Sequence, residues 1–150
     1  MKKMNNKGFS LIELIIVIAI MAVLVAIIAP NLTKYLGKSK KETDNTNKNE
    51  VIKQVKNCIS EAATEDNVNI INPTATQGIY FVDGGDVWYS TDATQGFAEL
   101  LADVFDDDTK TVSKVNKSNK VIKITISGSE SAGFTVDADF AQNGTGVKVS

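Results

Sequence analysis

The chain is 150 residues long and carries 16 lysines and arginines, 18 aspartates and glutamates and no histidine. That length holds one helix of membrane size plus one small globular domain of roughly 85 to 115 residues. Every basic residue is a lysine; without histidine the commonest general base and metal ligand is missing, so no enzyme, cofactor or metal site is expected. The net charge is −2, and without Lys2, Lys3 and Lys7 at the start it is −5, 13 lysines against 18 acids, a balance that argues against general nucleic-acid binding, which needs clustered positive charge.

From Phe9 to Ala29 the only polar side chains are Ser10 and Glu13. As a helix this run covers about 32 Å at about 1.5 Å per residue, close to the hydrocarbon thickness of a bilayer, about 30 Å, and it reads as a transmembrane helix. A cleaved secretory signal does not fit, because Ile27 is large where a small residue is needed and Pro30 directly follows Ala29. Lysines stand on both sides, Lys2, Lys3 and Lys7 before the run and Lys34, Lys38, Lys40 and Lys41 after it, so charge alone does not orient it.

Glu13 is the anomaly. An acid in the apolar part of a spanning helix costs about 2.5–3.5 kcal/mol, less near an end where it can reach the interface. The plain alternative is an acid tolerated one turn from that interface. The functional reading gives it a positive partner, the α-amine that a cut after Gly8 would free on Phe9. Within one helix the acid is expected to point away from that amine, so the partner expected is the amine of another copy, with Glu13 setting the register of self-assembly.

The residues Lys7-Gly8-Phe9-Ser10-Leu11-Ile12-Glu13-Leu14, followed by an apolar helix containing Pro30, closely resemble the N-terminus of type IV pilins. In that family a membrane aspartic peptidase cuts after the glycine and methylates the new N-terminal phenylalanine. The resemblance implies that Gly8 and Phe9 flank the cut, that Phe9 receives the methyl group, and that Phe9, Glu13 and Pro30 belong to the assembly helix. Ser10 stands where the family often has threonine. The partners implied are further copies of the chain in a helical homopolymer, the prepilin peptidase, the assembly machinery and, before assembly, the cytoplasmic membrane, with the head outside. The expected function is that of a structural subunit, the major one, of a surface fibre for motility, adhesion or aggregation. A type II secretion pseudopilin and a monomeric membrane-anchored binding domain are the alternatives.

The expected domains are a leader over 1–8, a membrane and assembly half of a long helix over 9–30, an amphipathic half over 31–65 and a head over 66–150. Pro30 is expected to kink a continuing helix without ending it, and Gly37 weakens it by up to about 1 kcal/mol. The stretch from Lys38 to Glu50 reads as a linker or a solvated helix, the softest part of the rod. Val51, Ile52, Val55, Cys58, Ile59 and Ala62 then form an amphipathic stripe, predicting one helix from about Ser10 to Ala63. Cys58, the single cysteine, cannot close an internal disulfide and reads as a buried hydrophobe. Many type IV pilins close a C-terminal loop with a disulfide; here strand pairing is expected to hold that end, as in Gram-positive-type pilins.

Beyond a loop over 67–78, Ile79–Val82 and Val87–Ser90 flank Asp83-Gly84-Gly85-Asp86, a hairpin signal. Asp92 or Thr94 is a candidate cap for a helix to about Phe105, with Phe97, Leu100, Leu101, Val104 and Phe105 inward. Strands are expected at Val112–Val115, Val121–Ser127, Phe134–Phe140 and Val147–Val149. The fold class expected is α+β, a long N-terminal helix whose hydrophobic half protrudes and whose amphipathic half packs on a small antiparallel sheet. Asp106, Asp107 and Asp108, or Asp137 with Asp139, offer oxygen ligands for calcium, although acidic turns are usually just solvated. Tyr80, Trp88 and Tyr89 read as core or edge packing before an adhesive surface. Lys110, Lys114, Lys117, Lys120 and Lys123 read as a solvated face before a patch that touches DNA or an acidic neighbouring subunit.

Overall fold

A computed structural model describes residues 9–64, 69–106 and 109–149. Its elements are α1 (Leu11–Ala62), β1 (Gln77–Asp83), β2 (Asp86–Tyr89), α2 (Gln95–Val104), β3 (Val121–Ser129), β4 (Gly133–Ala141) and β5 (Val147–Lys148). A 52-residue helix and a five-stranded antiparallel sheet in the order β4-β3-β1-β2-β5 make the protein α+β, as expected. The chain divides into two units, the first ending at Ser39 and the second running from Lys40 to Ser150.

In the first unit every described residue is exposed. The helix runs through Pro30 and Gly37 without a break. Proline removes one amide donor from the ladder, and the Thr33 hydroxyl donates to the Ala29 carbonyl at 3.0 Å beside it. Among the described residues one helix is long and apolar enough to cross a membrane, and its apolar window has nothing packed on it.

In the second unit, α1 buries a stripe with steps of three and four, Asp44, Asn47, Val51, Val55, Cys58 and Ala62. Its apolar part meets the sheet face formed by Tyr80, Val82, Val87, Ile122, Ile124, Ile126 and Ala138, with Phe97, Ala98 and Leu101 of α2 completing the core. The β1–β2 hairpin turns at Gly84-Gly85 and pairs Tyr80 with Tyr89 and Val82 with Val87. Gly84 takes φ of 58°, a left-handed value that suits glycine at a tight hairpin turn. Gly128 is the second such position, with φ of 122° and the Gly133 backbone where a Cβ would stand.

Tyr80 is the centre of the core. Its ring meets Phe97 edge-on, centroids 5.3 Å apart. Its hydroxyl donates to the Ile70 carbonyl and accepts the Thr94 amide at 3.2 Å, fastening the loop before β1 to the start of α2. Burial pushes its phenol above the usual range, although the bonds from Thr94 pull the other way.

Four expectations are corrected. Val112–Val115 is not a strand: Val112 and Val115 face out at 41% and 54% exposure while Thr111 and Ser113 are buried. The amides of Lys114 and Val115 are spent on the Asp44 carboxylate, so they cannot also serve a ladder. The stretch 38–50 is helix with Asp44 and Asn47 buried, not a wholly solvated rod. Val104 is 38% exposed, and Ala98 fills the inner face of α2 instead. Thr94 stands at the N-cap position of α2 but makes no side-chain cap; its hydroxyl donates to the Asn69 carbonyl.

The C-terminal end is held by pairing, as expected. β5 joins β2 through Trp88–Lys148 and Tyr89–Val147. The Val149 amide donates to the Val87 carbonyl at 2.9 Å, and Lys148 reaches Asp86 at 2.9 Å.

Candidate functional site

The helix start carries the residues that sequence reasoning singled out. Ser10 precedes the first helical residue, Leu11, so Glu13 is the third residue of the helix. The Glu13 carboxylate turns back and accepts the Ser10 amide at 2.8 Å. This is half of a capping box, in which a side chain satisfies an amide that the helix ladder leaves open. The partial positive charge of a helix N-terminus also favours a carboxylate there.

The acid therefore does not point away from its own N-terminus, which corrects the expectation. The spacing Ser-x-x-Glu was legible in the sequence and is the signal that would have found the bond. Phe9, one residue earlier, is 93% exposed. Gly8 lies outside the described residues, as do Lys2, Lys3 and Lys7. Pro30 is about 25 Å further along the helix at about 1.5 Å per residue.

A second polar constellation, missed from sequence, sits in the second unit. Asp44 is 6% exposed and accepts the Ser113 hydroxyl at 2.6 Å, the Lys114 amide at 2.6 Å and the Val115 amide at 3.2 Å. The Ser113 oxygen in turn accepts the amides of Val115 at 3.2 Å and Asn116 at 2.9 Å. Burial pushes the Asp44 carboxyl up, but the Ser113 hydroxyl, the two amides and the Lys114 charge together outweigh it and hold the carboxyl below its ordinary value. Asp44 is thus a clamp, fully occupied by the loop it holds.

The other candidates are scattered. Tyr80 and Tyr89 pack on the core while Trp88 lies on the opposite face of the sheet, 5.6 Å from the Lys148 ammonium, so the three do not form one aromatic surface. Asp106 is exposed beyond α2 and accepts the Thr109 hydroxyl at 3.3 Å; Asp107 and Asp108 lie outside the described residues. Asp137 and Asp139 are exposed on β4, and Asp139 meets Lys48 at 3.7 Å. Among the described residues no three His, Cys, Asp or Glu side chains converge for a metal. Lys110, Lys114, Lys117 and Lys120 are exposed and Lys123 half-buried on β3.

Cys58 is 1% exposed, and its thiol is pushed up by burial first and by the Glu61 charge second. A buried, protonated thiol is a poor nucleophile. The folded chain should therefore resist a maleimide or disulfide reagent, and one thiol per chain should react once denaturant is added. Fast labelling without denaturant would contradict this burial.

Residues 3–29 match the family described as the prokaryotic N-terminal methylation motif. The chain carries a prepilin-type N-terminus. Over 83 residues the chain is 35% identical to prepilin peptidase-dependent protein A of Clostridium perfringens, covering 55% of this chain and 59% of that protein. Over 43 residues it is 49% identical to the type IV major pilin protein PilA of Myxococcus xanthus, covering 29% of this chain and 20% of that one. The chain thus matches about three fifths of the first relative's length and one fifth of the second's. No solved structure matches it significantly. The motif is confined to the N-terminus, and the listed relatives are a prepilin peptidase-dependent protein and a type IV major pilin protein; the apolar helix that follows the motif is long enough to cross a membrane.

Proposed function

We propose that the chain is the major structural subunit of a type IV pilus. In this reading residues 1–8 are a leader removed by the prepilin peptidase between Gly8 and Phe9, and Phe9 is methylated on its new amine. Residues 9–30 anchor the precursor in the cytoplasmic membrane with the 66–150 head outside, and residues 31–65 carry the amphipathic half of the rod. The assembly machinery then moves the helix from lipid into a bundle of sister helices, giving a fibre for motility, adhesion or aggregation.

The observation that carries this reading is a membrane-length apolar helix with every described residue bare, beginning at a Ser10–Glu13 cap within the methylation motif. Large exposed apolar surfaces mark contacts with protein or membrane. Lipid tails are about as apolar as leucine, so exchanging lipid for sister helices gains little from the hydrophobic effect. Close packing and polar pairing must then choose the bundle over the bilayer, and in this reading Glu13 exchanges its bond to the Ser10 amide for the amine of a neighbouring copy.

The test is N-terminal sequencing and mass spectrometry of protein sheared from cells, with electron microscopy of the sheared material. The expected result is a chain beginning at methylated Phe9 in extended fibres. An intact Met1–Gly8 on surface protein overturns the reading; a processed chain without extended fibres points instead to a pseudopilus.

A further inference from the structure

We propose that the open edge of β4 pairs antiparallel, about a two-fold axis at Val136, with the same edge of a second copy in another fibre. The proposal rests on the assembly reading above and adds a contact that ties finished fibres together.

β4 ends the sheet, so one side of it meets β3 and the other meets no strand among the described residues. Which residues point outward follows from the ladder. The Ser90 amide donates to the Ile79 carbonyl at 2.9 Å, so Ile79 faces β2, and Tyr80 and Val82, of opposite parity, face β3. Val82 is opposite Ile122 and Ile122 is opposite Phe140. Because Ile122 is thereby turned toward β1, Phe140 is turned away from β3. Two hydrogen bonds agree: the Phe140 amide donates to the Asp139 carboxylate at 2.9 Å, and the Phe140 carbonyl accepts the Asn119 side-chain amide at 3.4 Å. Phe134, Val136 and Ala138 share that parity, and their amides and carbonyls line the free edge.

An unpaired strand edge recruits another strand unless something blunts it. Here Asp139 and Asn119 close the edge at Phe140, and the turn over 129–133 closes the other end. What stays open, 134–138, is centred on Val136. Lys48 of α1 reaches Asp139 at 3.7 Å, which sets that flank of the helix beside β4. Ile52 and Ile59, four and eleven residues further on, share the flank and are half-buried, as are Phe134 and Val136. An apolar seam therefore runs along the open edge.

The edge is complementary to itself in one register. Outward residues must meet outward residues in an antiparallel pair, and each such pair exchanges both its main-chain bonds. With Val136 opposite the second copy's Val136, Phe134 meets Ala138, a large side chain against a small one. On the other face the exposed Asp137 meets the exposed Thr135, and Asp139 meets Gly133. Sliding the pair toward Asp139 sets Asp137 against Asp137 or Asp139, like charges directly opposite. Sliding it the other way leaves Ala138 beyond the start of the second copy's β4 at Gly133. A two-fold contact closes on itself, whereas the contact that builds a fibre is head-to-tail, so this pairing joins a subunit of one fibre to a subunit of another.

Two fibre preparations, one of Thr135→Cys and one of Asp137→Cys, test this. Oxidised after mixing, they should give a disulfide-linked dimer, because the register brings 135 of one copy opposite 137 of the other at a closely spaced pair. Either preparation oxidised alone should give far less, and Cys58 is sealed in the core. Thr135→Asp sets two acids against each other and should lower the fraction of bundled fibres in electron micrographs about tenfold, whereas Thr135→Lys should raise it. Thermal unfolding of each detergent-extracted chain checks that these exposed changes leave the head folded. No dimer from the mixture, equal dimer from a single preparation, or bundling indifferent to both charges overturns the contact while leaving assembly itself standing. Wild-type cells without any fibre overturn both.

Discussion

Replacing Asp44 with alanine should lower the stability of the head by about 3 kcal/mol. The carboxylate accepts one hydroxyl and two amides in a site 6% exposed. Hydrogen bonds to a charged partner are each worth about 1.5–3 kcal/mol, and buried donors left without an acceptor add a further cost. Part of that cost returns when water reaches the part-buried Lys114 and Val115 amides, which holds the figure near its lower end. For a domain of this size the unfolding midpoint should fall by roughly 10–20 °C. Trp88, the one tryptophan, lies half-buried on β2 and reports the transition in detergent-extracted full-length protein. An unchanged midpoint would show that the loop holds itself.

The same carboxylate sets a pH dependence with a definite sign. Its pKa in the folded chain lies below the ordinary value, so its contribution is complete above the unfolded pKa of about 3.9 and is lost as pH falls through the folded value. Wild-type protein should therefore weaken on acidification below about pH 4. Asp44→Asn keeps the shape but not the charge, and it should be less stable at neutral pH while losing less on acidification. Parallel acid curves for the two proteins would remove Asp44 from the account.

The second large effect belongs to Glu13. Glu13→Ala removes both the cap on the Ser10 amide and the negative charge, and it should leave expression and head folding intact while fibres fall about tenfold or more, since tenfold is only about 1.4 kcal/mol per contact. Glu13→Gln separates the two roles, because its carbonyl oxygen can still accept the Ser10 amide. If charge pairing with a neighbour's amine drives assembly, glutamine should assemble as poorly as alanine. If glutamine gives normal fibre yield and alanine does not, the helix cap is the reason for the acid. Normal yield from both would remove Glu13 from assembly altogether.

Much of the fold could be read before the structure. The steps of three and four from Val51 to Ala62, the glycine pair after Asp83 and the alternation in 122–126 and 134–140 are local signals, and each carries its period in neighbouring residues. What stayed hidden was long-range or masked by a stronger local pattern. Val112 and Val115 resemble a short strand, while the group that claims their segment, Asp44, lies 69 positions before Ser113. A polar residue on a helix face looks solvated until its distant partner is known, which is why the 38–50 stretch read as soft. Glu13 was legible in two ways at once, and its membrane anomaly overshadowed the shorter-range Ser-x-x-Glu spacing.

The head ties α1 to the 113–116 loop with a carboxylate, a hydroxyl and backbone amides, and its lone sulfur is shut inside the core. A reductant therefore finds no crosslink to open, and an oxidant no accessible sulfur to attack. Stability should be the same in anoxic and aerated surroundings, and acidity, not redox state, is the condition that loosens this head.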